Sequence, residues 1–273
     1  MRNGAGDSTL SMKLAASRSL LLVSLCFCLA RADAITLSHG EAQRIGHKVW
    51  QNECAGTIAG LTSWNTGENF ASLGIGHFIW YPRGARGPFE ESFPDFVRFA
   101  ANRGAKLPLV VTENGESGCP WNSRDEFLAA TNDSKMKGLR GFLAATIDLQ
   151  IDFLIQRLQK ALPKMLDAAA PAERAHVREE FDRLASKADG CYALIDYVNF
   201  KGEGVLDTER YHGQGWGLLQ VLSGMNEKAQ SPTAEFAASA ARVLRQRVQN
   251  SPPERNENRW LAGWLQRVHS YAN

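Results

Sequence analysis

Residues 51–80 read QNECAGTIAGLTSWNTGENFASLGIGHFIW. An acid, Glu53, stands at the head of a stretch crowded with Gly, Ser, Thr and Asn. Upstream, Ser38-His39-Gly40-Glu41 has the form of a capping box, which predicts a helix start. Ala42, Ile45, Val49 and Glu53 then recur at helical spacing, so Glu53 ends an apolar stripe. Gly56 and Gly60 stop the helix. From Thr62 to Tyr81, Phe70, Leu73, Ile75, Phe78 and Trp80 alternate with small residues, which predicts a small β hairpin.

The rest of the chain reads as helical. A Gly/Pro-rich loop covers 83–94, a short helix 95–102 and an irregular stretch 112–121. A long amphipathic helix is expected over 139–166, from Leu143, Ile147, Ile151, Leu154, Leu158 and Leu162. Further helices are expected over 171–188, 191–198, 232–248 and 257–271, with another opening at Gly217-Leu218-Leu219-Gln220. The predicted class is mainly α (α+β), with one small β element towards the front.

The first 34 residues read as a secretory signal peptide. A short apolar run, 19–30, follows Arg2, Lys13 and Arg18 and ends in Ala32-Asp33-Ala34. Its removal leaves residues 35–273 as one domain with 27 basic and 27 acidic residues. Such a balance gives no electrostatic reason to bind nucleic acid or an anionic membrane. A periplasmic or secreted location is expected, with no membrane insertion once the leader is cut. In an oxidising compartment three cysteines favour one disulfide. Cys54 and Cys119 are the expected pair, and Cys191 the buried thiol. No Cys/His spacing suggests a metal site, and no cofactor is called for.

A carboxyl group at the end of an apolar stripe loses hydration, a setting that suits a general acid. Ser72, Asn65 and Glu68 are the groups beyond it that can hold a water or act as a second carboxylate. Trp64, Trp80 and Trp216 offer flat faces of the kind sugars stack on, whereas Trp50, Trp260 and Trp264 fall on helical patterns and read as core. His77 reads as a structural hydrogen-bonding residue, and Arg242, Arg245 and Arg247 as a solvated helix face.

The stretch resembles the active-site region of phage-type lysozymes: a helix ending in a catalytic Glu, a polar hairpin, then a Thr/Ser-x-Gly-x-Gly-His segment. Here that segment is Ser72-Leu73-Gly74-Ile75-Gly76-His77. Ala193–Gly204, ALIDYVNFKGEG, resembles the helical-lobe segment of the same enzymes, which points to Asn199. Gly213–Val221, GQGWGLLQV, is similar to the Gly-Leu-x-Gln segment of lytic transglycosylases and goose-type lysozymes, which points to Gln220 near bound glycan. The spacing from Glu53 to Ser72 is longer than the phage-type pattern. The resemblance implies a two-lobed lysozyme-like fold and an exported glycosidase on the β-1,4 bonds of peptidoglycan glycan strands. Glu53 is then the general acid, with Glu68 and Ser72 as catalytic candidates. Asn65, Trp64, Trp80, Asn199, Trp216 and Gln220 are the binding candidates. A lytic transglycosylase and a non-catalytic wall-binding protein of the same fold are the alternatives. A chitosanase would want more acids than Glu68 along the hairpin, and a cysteine peptidase on Cys54 lacks any local signature.

Overall fold

The computed structural model describes residues 35, 37–87, 89–114 and 117–272. The expected signal peptide lies outside them. α1 (His39–Cys54) begins as its capping box predicts: the Ser38 hydroxyl accepts from the Glu41 amide, and the Glu41 carboxylate accepts from the Ser38 amide at 2.8 Å. Ala55, left-handed at φ 50°, closes the helix directly after Cys54.

The expected hairpin is a three-stranded antiparallel sheet in the order β1 (Thr62–Ser63), β2 (Ala71–Leu73), β3 (Phe78–Trp80). Ser63 pairs with Ser72, and Ser72 with Ile79. Side chains of paired residues share a face. Ser63, Ser72 and Ile79 therefore lie on one side, and Leu73, Phe78 and Trp80 reach the core from the other. The turn 74–77 joins β2 to β3 at one end of β2, while the loop 64–70 enters at the opposite end.

Helices supply the rest: α2 (Phe93–Ala101), α3 (Leu109–Asn114), α4 (Arg124–Ala129), α5 (Ser134–Ala145), α6 (Ile147–Ala168), α7 (Arg174–Ala185), α8 (Ala188–Lys201), α9 (Leu218–Ser223), α10 (Pro232–Asn250) and α11 (Asn258–His269). A two-stranded ribbon, β4 (Arg210–Tyr211) and β5 (Gln214–Gly215), precedes α9. Three expectations change, the first being the single β element, since β4 and β5 form a second sheet. The front of the irregular 112–121 stretch belongs to α3. The single helix over 139–166 is two, broken at Thr146 (φ −117°, ψ 22°), whose hydroxyl donates to the Phe142 carbonyl at 2.8 Å. Such side-chain bonding competes with the helical ladder.

An aromatic core fastens the sheet to the helices. Phe78 stacks on Phe96 of α2 at 4.9 Å between ring centroids and meets Phe153 of α6 edge-on at 5.4 Å. Tight turns need backbone freedom at Gly74 (φ 70°), where a Cβ would meet the Gln150 Oε1 at 2.3 Å. That contact holds the turn: the buried Gln150 accepts from the Ile75 amide at 2.8 Å and donates to the Leu143 carbonyl at 2.7 Å.

The expected disulfide is absent; Cys54, Cys119 and Cys191 are all free and buried. Cys54 turns its thiol towards the Gly74 carbonyl at 3.6 Å, while the Cys119 backbone bridges to Pro82 beside Tyr81. Burial pushes both thiols up to about 12.

Candidate functional site

Ile45 and Val49 are buried on α1, and the stripe they form brings Glu53 to the helix end with its side chain 9% exposed. The surroundings are charged instead of the apolar wall that the stripe suggests. Glu53 Oε1 accepts from Arg267 Nη2 of α11. Glu53 Oε2 lies 3.3 Å from Nδ1 of His77, in the turn 74–77. The other ring nitrogen, Nε2, lies 3.0 Å from the Glu53 backbone carbonyl. His77 thus clasps Glu53 from both ends, at a strained φ of 46°. The structural role read for His77 from the sequence agrees with this geometry.

The two His77 contacts have a chemical consequence. A carbonyl only accepts, so Nε2 must carry the hydrogen of that bond. Nδ1 then faces a carboxylate oxygen. The geometry therefore sets one imidazole against both the carboxylate and the backbone carbonyl of Glu53.

Arg267 is in turn gripped by Asp196 of α8. Its Nε donates to Asp196 Oδ2 and its Nη2 to Oδ1, each at 2.8 Å, the bidentate fork that suits a guanidinium. Asp196 is fully buried and also accepts from the Tyr271 hydroxyl at 2.5 Å and from Asn52 Nδ2 at 3.3 Å. Asn52 donates to the Tyr192 hydroxyl as well, at 2.8 Å. Burial works against the charge on Arg267, but the hydrogen bond and charge of Asp196 and the charge of Glu53 outweigh it and raise its pKa. Burial first, then the Asp196 charge, pushes the Tyr271 hydroxyl well up, so it stays a donor. The result is one hydrogen-bonded chain, Tyr271–Asp196–Arg267–Glu53–His77.

Compared with known proteins, this chain matches no family model, no curated protein and no solved structure.

The other candidates fall in different places. Asn65 and Glu68 do meet, Asn65 Nδ2 donating to Glu68 Oε2 at 3.1 Å, but on the loop 64–70. That loop and the His77 turn lie at opposite ends of β2, and neither residue contacts Glu53. Ser72 is buried in the central strand. Asn199 is half-buried towards the end of α8, outside the hydrogen-bonded chain around Glu53. Gln220 spends its amide on backbone: it accepts from Gly217 N at 3.0 Å and donates to the Gly204 carbonyl at 3.1 Å. It ties α9 to the loop after α8 instead of facing a ligand.

The three tryptophans expected to stack on sugar are core residues. Trp80 is wholly buried against Phe93. Trp64 packs on Phe127 and donates to the Glu68 carbonyl at 2.8 Å. Trp216 lies between Tyr211, 4.4 Å away, and the Arg247 guanidinium, 4.1 Å from its ring centroid. Conversely Trp260, expected in the core, is 40% exposed. Arg247, expected on a solvated face, is paired with the buried Glu257 at 2.8 Å.

The sequence pointed to Glu53 and His77 but missed Asp196, Arg267 and Tyr271. An acid inside the apolar run CYALIDYV was the available signal for Asp196. Nothing local marks Arg267. Among the described residues no group of three or more His, Cys, Asp and Glu could hold a metal ion, and no helix is long and apolar enough to cross a membrane.

Proposed function

We propose that this chain is an exported, two-lobed lysozyme-like glycosidase that cleaves β-1,4 bonds between amino sugars in peptidoglycan, with Glu53 as the general acid. The observation that carries this is the largely buried Glu53 carboxyl at the end of α1, with His77 Nδ1 3.3 Å from one oxygen and Arg267 fixing the other. In this reading Glu53 protonates the leaving glycosidic oxygen, and the guanidinium faces the charge left behind. General acid catalysis of this kind contributes roughly 10²–10⁴ in rate.

The oxocarbenium-like transition state then needs a partner on the opposite face. Glu68 is engaged by Asn65 on the loop 64–70, and Asp196 is buried and bonded to Arg267, Tyr271 and Asn52. A carboxylate nucleophile, and with it a retaining route, is therefore disfavoured. Water attacking from the face opposite the leaving group, with its proton passing to solvent, gives inversion. Attack by the sugar's own hydroxyl gives a 1,6-anhydro end, the lytic transglycosylase outcome. Asp196 is committed to Arg267 and Tyr271, and this favours keeping that second reading.

Digestion of purified peptidoglycan, with products read by mass, tests the assignment. Reducing muropeptides indicate hydrolysis, and anhydro ends indicate transglycosylation. Glu53→Gln keeps an acceptor for Arg267 but has no proton to give, so activity is expected to fall at least about 100-fold with folding unchanged. Near-wild-type activity in that variant overturns the role of Glu53. If the wild type itself releases nothing, the Glu53–Arg267 pair is structural, and a non-catalytic wall-binding protein replaces the enzyme.

A further inference from the structure

A groove of about 430 Å³ lies between α2 and α6, away from Glu53. Its size suits a small ligand or a short peptide. Its charges do not cancel. Three acids line it and each has a cation: Asp95 pairs with Arg98, Glu90 with Arg157 at 3.9 Å, and Glu203 with Lys164 at 3.1 Å. Two further cations in the lining have no acid. Lys160 is exposed and forms no ion pair among the described residues. Arg103, also exposed, rests its guanidinium 3.5 Å from the centroid of the Phe99 ring. The groove therefore carries two uncompensated positive charges over an apolar floor of Phe99 and Phe153, whose rings lie 5.2 Å apart. Asn102 and Gln156 share the lining and add amides that both donate and accept.

The walls of the groove adjoin the sheet and the loop after α8. Ser92, on one wall, accepts from the Ile79 amide of β3 at 3.1 Å. Glu203, on another, precedes Gly204, which Gln220 holds. The groove thus reaches from the sheet to the loop after α8.

We propose that this groove binds the carboxylates of the stem peptides that branch from the glycan strand, so that substrate is recognised by its peptide as well as its sugar. This rests on the peptidoglycan reading above. Two free cations fit isolated carboxylates, and the amides and aromatic floor fit peptide bonds and short side chains. A dense polyphosphate chain fits poorly, because three acids in the same lining would repel it.

The test is binding, not turnover. The full chain carrying Glu53→Gln is titrated calorimetrically at low salt with the disaccharide-tetrapeptide unit of peptidoglycan. Parallel titrations use the peptide-free disaccharide, the disaccharide-tetrapeptide with amidated carboxyls, and poly(glycerol phosphate). The peptide-bearing unit is expected to bind at least about tenfold more tightly than the peptide-free or amidated ones. Arg103→Gln with Lys160→Gln is expected to erase that preference and leave affinity for the bare sugar unchanged, with circular dichroism unaltered at these exposed positions. The proposal is overturned if the starting protein shows no preference, if the double variant keeps it, or if poly(glycerol phosphate) binds as well as the peptide. Loss of preference in a protein whose wild type cleaves nothing keeps the groove and discards the glycosidase. Cleavage without any preference does the reverse.

Discussion

Gln150 shows how much one residue can hold in place. It is wholly buried, and both ends of its amide bridge the turn before His77 to the end of α5. Gln150→Leu keeps the volume but strands the Ile75 amide in the interior, while the Leu143 carbonyl keeps the Thr146 amide at 3.3 Å. Each such orphan costs about 1–3 kcal/mol. Urea unfolding is expected to show a loss of about 1–3 kcal/mol, and a change below about 0.5 kcal/mol would mean that water replaces the amide. The sequence made the need for glycine at 74 legible, but not its neighbour. Gln150 is one polar letter within an amphipathic repeat, and such letters normally face solvent. Asp196 is the same lesson with a charge: its apolar neighbours announce burial, but its partners come from α1, α11 and the last residues.

At the scale of elements, α8 and α11 meet through aromatic and cationic side chains. Lys201, the last residue of α8, places its Nζ 3.4 Å from the centroid of the Trp264 ring and 3.9 Å from that of Phe200. Burial, then the charge of Arg247, pushes Lys201 down to about 6, with the Glu257 charge acting the other way. The ring faces also favour the charged form, by up to ~2 kcal/mol. Between about pH 6 and the ordinary lysine range the unfolded chain binds more protons than the folded one. Stability should therefore rise with pH across that window. Lys201→Met is expected to flatten the rise and to stabilise the protein at neutral pH, as read by urea melts at pH 6, 7.5 and 9. Parallel curves for variant and wild type would assign the pH dependence elsewhere. The break at Thr146 was illegible for a different reason. Apolar periodicity runs through the kink, where the Phe142 carbonyl takes the Thr146 hydroxyl and the Leu143 carbonyl takes the Gln150 amide.

For the whole molecule, the order and type of elements were legible because capping, periodicity and glycine punctuation are local signals. The error over the tryptophans came from burial, which is a sum over neighbours far away in sequence. The disulfide expectation failed likewise: two cysteines in loop-like surroundings settled in the core with separate partners. Burial holds all three thiols well up, Cys191 at about 11. Reductant is accordingly expected to leave the melting temperature unchanged, and iodoacetamide to label the thiols only in the unfolded chain. A drop in melting temperature with reductant would restore a covalent cross-link.

The pairing of Glu53 with Arg267 spans 214 positions. On a ribosome, α1 and the sheet emerge long before α11, and closing so long a loop is entropically late. Until then Asp196 and Glu53 have no guanidinium, and α8 cannot bury its acid without cost. The carboxylate at the heart of the site thus becomes fixed in place only when nearly all of the chain has been made. Timing of assembly is written into the fold, and a nascent chain holds Glu53 without the partner that orients it.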